Sequence, residues 1–193
     1  MSIGTEATIS RRVSVNGTDY ELYWPTSLSK AERLELLSLY DEVARNGSKH
    51  GYTGSIANEV GRAMVDAEAD AVGAGQIHML LARDSAGLVG SLILQPYVSD
   101  ARGHTVNSRK AVVARRARGT FFPLMVDEAI RKSVAIGAEI ATLDVAEDGP
   151  VKLWKSLGFK EYGVLNDYAR RNGRSLKGYF LYLILPSQAA LHG

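Results

Sequence analysis

HTVNSRKAVVARRARGTFFPLM, residues 104–125, changes character twice within 22 positions. It opens strand-like, with Val106, Ala111, Val112 and Val113 as the apolar positions over 104–114. It then crosses a basic turn, Arg115-Arg116-Ala117-Arg118-Gly119. From 120 to 136 the period becomes helical, with Val126, Ala129, Ile130 and Val134 in one stripe. A strand running through a glycine-ended loop into a helix places backbone N–H groups and the positive end of a helix dipole at one point, a natural seat for an anion.

Outward from this junction the pattern is a run of short elements. Residues 138–145 (AEIATLDV) read as a strand and 150–157 as a short helix ending in Leu157-Gly158-Phe159. Two further strands follow at 159–168 and 177–185, bridged by a loop containing Asn172-Gly173. On the N-terminal side, 77–83 (IHMLLAR) and 88–95 (LVGSLILQ) are apolar runs joined by Asp84-Ser85-Ala86-Gly87, which predicts an antiparallel pair, and 96–103 is a loop. Ser29-Lys30-Ala31-Glu32 is a capping box that opens a helix carrying Leu36, Leu39, Tyr40 and Val43, stopped by Asn46-Gly47. A second helix is expected from Ser55, with Ile56, Val60, Met64, Ala67 and Ala71 on its apolar face. Residues 12–24 form a hairpin or one bent strand around Asn16-Gly17. Antiparallel strands with one central strand–helix–strand crossover describe an α+β protein with a mixed, mostly antiparallel sheet and helices on both faces.

Composition narrows the function classes. The 193 residues are 46% hydrophobic and 23% charged, the balance of an ordinary globular chain rather than a disordered or coiled-coil one. One domain is expected over 1–193, with a strand and two helices in 12–73 and a core at about 76–185. Twenty-three basic against 21 acidic residues leave +2, which gives no reason to expect nucleic acid or a membrane as partner. No cysteine excludes thiolate metal sites, disulfides and cysteine nucleophiles. The four histidines, His50, His78, His104 and His192, have no metal-ligand spacing, so no metal is expected. His78 reads as a core residue and His104, at a strand entrance, as a candidate base. Neither a signal-peptide core nor an 18-residue apolar run is present, so a cytoplasmic protein is expected. No Gly-x-Gly-x-x-Gly, Walker loop or Gly-x-Ser-x-Gly elbow supports an oxidoreductase, nucleotide hydrolase or serine hydrolase.

Arg116-Ala117-Arg118-Gly119-Thr120-Phe121 resembles the Arg/Gln-x-x-Gly-x-Gly/Ala signature of the GCN5-related N-acetyltransferases, the GNAT superfamily. Leu143-Asp144-Val145 and Leu153-Trp154-Lys155-Ser156-Leu157-Gly158-Phe159 are similar to that family's fifth strand and its Leu-Gly-Phe helix end. Gly163, Asp167-Tyr168-Ala169, Asn172-Gly173 and Tyr182-Leu183 resemble its tabtoxin-resistance-like branch. The resemblance covers about 76–185; the first 75 residues match by element order only.

This resemblance implies transfer of an acetyl or similar acyl group from a coenzyme A thioester, acetyl-CoA, to a small-molecule amine. It implies that the pyrophosphate meets Arg116, Ala117, Arg118, Gly119, Thr120 and Phe121, and that a backbone N–H within Ala111–Val113 faces the acyl oxygen. Asp144 then faces the acceptor, Tyr168 lines its site, and Tyr162 is the nearest phenol to replace the one lost at Trp154, where many members carry a proton-donating tyrosine. Glu147 and Asp148 read as a solvated loop. A homodimer is also implied, since sheet-edge pairing is common in similar proteins.

Phe121 and Trp154 are the main departures from the family pattern; Pro123 also deletes one N–H of the first helical turn, and Arg109 and Lys110 make the strand before it more basic than the pattern. Phe121 stands where a small residue lets phosphate sit against the helix start, and either fills that seat or turns into the core. Trp154 offers an N–H donor but no titratable proton near neutral pH. The alternative they motivate is a binding or regulatory protein that keeps the fold without the catalysis. Nucleic-acid binding through Arg109, Lys110, Arg115, Arg116 and Arg118 is a third reading, opposed by the even charge balance.

Overall fold

Asn16 and Gly17 both take positive φ, 51° and 78°, the two-residue turn whose twist suits a hairpin. They join β1 (Ser10–Val15) to β2 (Thr18–Tyr23), so the first strand region is a hairpin and not one bent strand. In this computed structural model residues 10–45, 54–119, 121–147, 149–171 and 173–188 are described. The Asn46-Gly47 stop, His50, Thr120, Asp148, Asn172 and His192 lie outside them.

The capping box forms as expected: Ser29 N–H donates to Glu32 at 2.8 Å and Glu32 N–H to Ser29 Oγ at 3.3 Å, opening α1 (Lys30–Arg45). The second helix differs from expectation. α2 spans Glu59–Gly73, capped by Asn58, whose side chain accepts from Gly61 N–H at 3.0 Å. Ser55 and Ile56 precede it because Asp41 captures that segment, accepting from Ser55 Oγ and from the N–H groups of Ile56 and Ala57. The buried face is Gly61, Val65, Glu68, Ala69 and Val72, and Val60 is 72% exposed. The helix is thus turned slightly from the expected stripe: Met64 and Ala71 still pack against the core, and a carboxylate, Glu68, shares the buried face with Val65, Ala69 and Val72.

The remaining elements follow the sequence closely: β3 (His78–Asp84), β4 (Gly87–Pro96), β5 (Thr105–Val113), a 3-10 turn at Arg115–Ala117, α3 (Phe121–Ala135), β6 (Ile140–Ala146), α4 (Val151–Ser156), β7 (Lys160–Arg171) and β8 (Arg174–Ile184). β7 and β8 reach further than expected, leaving only a tight connection around Gly173. The sheet order is β1-β2-β3-β4-β5-β6-β8-β7, and every neighbouring pair is antiparallel except β5 with β6. That parallel step is the strand–helix–strand crossover through α3.

Two consecutive residues of β4 show that helices cover both faces. A Cβ on Gly90 would meet Met125 Sδ of α3 at 2.5 Å, whereas the adjacent Ser91 lies 3.5 Å from the Tyr40 hydroxyl of α1. Successive side chains on a strand point to opposite faces, so α3 and α1 sit on opposite sides. Glu68 joins α2 to the α1 side, and Trp154 packs α4 edge-on against Phe122 of α3. No helix among the described residues is long and apolar enough to cross a membrane.

Candidate active site

β5 and β6 pair at Thr105↔Ile140, Val106↔Ala141 and Asn107↔Thr142, and among the described residues the ladder ends there. Continued register would set Arg109 opposite Asp144. The strands part instead, and these residues stand on the two lips of a wedge. A cleft of about 990 Å³ fills the opening, lined on β5 by Ser108 to Ala111 and Val113, on β6 by Leu143 to Ala146, and beyond by Arg118, Gly119, Leu153, Trp154 and Tyr168. Sites for small molecules reach roughly 1,000 Å³, so this one has room for an extended ligand and a second reactant.

The β5 lip is bulged. Ile93 pairs with Arg109 and Ser91 with Val112, so Leu92 alone opposes both Lys110 and Ala111. Lys110 takes φ 50°, a left-handed conformation that costs a non-glycine residue about 1–2 kcal/mol. Arg109 and Lys110, adjacent in sequence, consequently reach the same carboxylate: Glu68 receives Lys110 Nζ and lies 3.8 Å from Arg109. The Tyr40 hydroxyl also donates to Glu68, at 3.1 Å. Burial, reinforced by the Glu68 charge, pushes the Tyr40 phenol well above its ordinary range. Glu68 is only 6% exposed, so it is a buried carboxylate satisfied by two donors, Lys110 Nζ and the Tyr40 hydroxyl, with the Arg109 charge nearby.

On the β6 lip, the Tyr168 hydroxyl donates to Asp144. The local structure of β7 explains the meeting: Leu165 pairs with Gly178 and Ala169 with Leu176, so extra residues bulge out between them, with Asp167 at φ 55°. Burial, then the Asp144 hydrogen bond, raises the Tyr168 phenol above its ordinary value. It therefore stays protonated as a donor, and Asp144, exposed to the cleft, keeps its other lone pairs for a ligand.

The loop into α3 divides the residues expected there. Gly119, at φ 107°, and Arg118 line the cleft, and a Cβ on Gly119 would meet nothing within 4 Å. Ala111 and Val113 line it as well. Arg116 does not. Its guanidinium is held by Asp84 at 2.9 and 3.2 Å and by the Leu88 carbonyl at 3.1 Å, on the β3–β4 turn. Arg116 holds the Asp84 carboxyl below its usual range. Ala117 is buried. Phe121 is 1% exposed, stacked on Tyr20 with ring centroids 4.3 Å apart, so the ring belongs to the core and leaves the helix start open. Tyr162 is 59% exposed, against Phe180 and Tyr182, and does not line the cleft.

Trp154 is buried between Phe122 and Phe159, where its ring forms part of the cleft wall. Exposed His104 sits at the start of β5, the end away from the wedge, and half-buried His78 has its imidazole pKa lowered chiefly by burial. Glu147 is in reach of Arg174 at 3.5 Å. No group of three His, Asp or Glu among the described residues could hold a metal ion. The sequence places Tyr40 only on an apolar helix face and gives Glu68 and Gly178 no role, because a buried carboxylate at helical spacing looks like any exposed one and a glycine beneath a ring carries no local signal.

No family model and no curated protein sequence matches the chain. Solved structures do. The ribosomal-protein-alanine N-acetyltransferase of Brucella melitensis aligns at 20% identity and TM-score 0.69, over 82% of this chain and 98% of that one. A GNAT-family acetyltransferase of Streptococcus pneumoniae aligns at 17% and 0.68, over 86% and 99%. A GNAT-superfamily phosphinothricin acetyltransferase of Sinorhizobium meliloti, solved with acetyl-CoA, aligns at 19% and 0.69, over 84% and 89%. At these identities the likeness speaks to architecture, and the chain has the fold of the GNAT acetyltransferases.

Proposed function

We propose that the protein is an N-acetyltransferase that moves an acetyl or related acyl group from acetyl-CoA to the amine of a small molecule. The observation that carries this reading is the wedge between β5 and β6, with a bulged strand on one lip and the Asp144–Tyr168 pair on the other. The residues present fit the donor: the start of a 15-residue helix beside open Gly119 and Arg118 suits a pyrophosphate, and Leu153 and Trp154 offer an apolar wall to the rest. The placement of Phe121 in the core removes one of the two motives for a non-catalytic reading, and Trp154 in the cleft wall remains the other.

The thioester supplies the activated acyl carbon. The bulged backbone at Lys110–Ala111 has lost β6 as a neighbour, so N–H groups along this lip can meet the charge that develops on the acyl oxygen. Asp144 holds the incoming ammonium and takes one proton from it, directly or through one water, passing it on to solvent and so freeing the nitrogen lone pair to attack the acyl carbon. Tyr168 keeps the carboxylate aimed. The nitrogen sheds its second proton once the C–N bond has formed, and Asp144, ionised again, relays that proton to the sulfur as the C–S bond breaks, so no separate acid at position 154 is required. The acyl oxygen and the amine are thus served from opposite lips.

Thiol release from acetyl-CoA, measured against a broad panel of primary amines, tests the reading. Release above the enzyme-free rate with at least one amine is expected; release at that background rate with every amine counts against it.

A further inference from the structure

Lys110 stands in a backbone conformation that lysine does not favour, at the point where the proposed acyl seat is built. Three contacts surround it. Its ammonium is bound by Glu68 of α2 and lies 5.4 Å from the centre of the Tyr40 ring of α1, and Tyr40 itself donates to Glu68. Glu68 is the one charged residue on the buried face of α2, beside Val65, Ala69 and Val72. An acid buried in this way is tolerated only when several donors satisfy it, and here one of the donors is the strained residue itself.

We propose that Glu68 and Lys110 form a clamp that holds the β5 bulge in its left-handed turn and so fixes the aim of the backbone at the acyl seat. Both are positioning residues, and the proposal rests on the acetyltransferase reading of the cleft. The physical argument is one of compensation. A left-handed lysine relaxes towards an ordinary extended strand unless something over-determines it. Such relaxation would realign Lys110 and Ala111 with Leu92 and swing the open lip by the width of a residue. The ion pair opposes that movement from outside the strand; Arg109 approaches the same Glu68 oxygen as Lys110, at 3.8 Å, and the Tyr40 hydroxyl holds the other oxygen. Helices α1 and α2 thereby set the geometry of the reacting centre.

Three variants test the clamp: Glu68→Gln, Lys110→Gly and the double variant. Glycine accepts positive φ without a side-chain penalty, so it should make the clamp dispensable. Glu68→Gln alone should lower kcat about 10–100-fold, the cost of misplacing a catalytic group by about an ångström. Its acetyl-CoA affinity by calorimetry and its acceptor KM should stay within about twofold, because neither ligand is held by Glu68. Amide hydrogen exchange over 108–113 should quicken about tenfold in that variant. Adding Lys110→Gly should restore kcat to within about threefold of the native chain.

Native kcat in Glu68→Gln, or a double variant as slow as the single one, overturns the proposal. Should Glu68→Gln fail to fold, Lys110→Met decides, since it removes the ammonium and keeps the side-chain penalty at positive φ: amide exchange over 108–113 quickened about tenfold supports the clamp, and unchanged exchange overturns it. If the native chain acetylates no amine, the reading of the cleft has failed, and exchange then decides the clamp by itself. Quickened exchange in Glu68→Gln that glycine reverses supports it, and unchanged exchange overturns it.

Discussion

A Cβ added to Gly178 on β8 would lie 2.3 Å from Cγ of Tyr168 on β7. The Tyr168 ring lies directly over that glycine, which lets its hydroxyl reach Asp144 on the next strand. One position without a side chain thus builds one lip of the cleft.

Gly178→Ala should push the ring aside and cost about 1–3 kcal/mol of stability, as overpacking does. The more telling change is functional. Acceptor kcat/KM should fall about tenfold or more, since the Asp144 carboxylate loses its orienting donor. Acetyl-CoA affinity should be unaltered. Steady-state kinetics beside calorimetry check both, and an equal loss of donor affinity would place Tyr168 elsewhere in the mechanism.

Asp144→Asn should lower turnover about 10²–10⁴-fold, the usual worth of a positioned acid–base group. Asp144 is exposed and among the described residues is bound only by Tyr168, so the melting temperature should barely move. Full activity with a depressed melting point would instead mark it as a structural group.

Phe121→Gly should destabilise the chain by about 3–5 kcal/mol without tightening acetyl-CoA binding. The ring is buried and stacked on Tyr20, so its removal opens a cavity inside the protein and frees no space in the cleft. Tighter binding would show that the ring reaches the phosphate seat.

Arg116 and Arg118 should separate cleanly. Arg118→Ala should weaken acetyl-CoA binding by about tenfold, the loss of one charge-assisted contact. Arg116→Ala should leave affinity alone and act on acid stability. The Asp84 carboxyl has its pKa lowered in the fold by Arg116, so its contribution is complete above the unfolded value of about 4 and is lost as pH falls through the folded one. Removing the arginine should therefore flatten the acid limb of the stability curve below about pH 4. Denaturant midpoints at pH 3 and pH 7 would reveal it, and an undiminished acid limb would contradict it.

The sequence by itself determined the elements and most of their order. Apolar period separated the strands at 77–83 and 88–95 from the helix at 120–136, and the Ser29–Glu32 box and the Asn16-Gly17 turn each formed as local chemistry demanded. These features depend on residues within a few positions of one another, so they can be read along the chain. Asp144 and Tyr168 could also be named as candidates from the motifs around them, though not as partners.

Only the tertiary structure decided which side chains meet. The signature arginine Arg116 turned to Asp84, 32 positions earlier, because a carboxylate and two carbonyls were waiting there. Phe121 went to Tyr20, a hundred positions away, because aromatic burial outweighs the family pattern at that site. α2 set Glu68 among the apolar residues of its buried face, where it meets Lys110. Each outcome is fixed by a partner distant in sequence, and a strand bulge of one residue changes which partner is within reach. Periodicity carries no information about either.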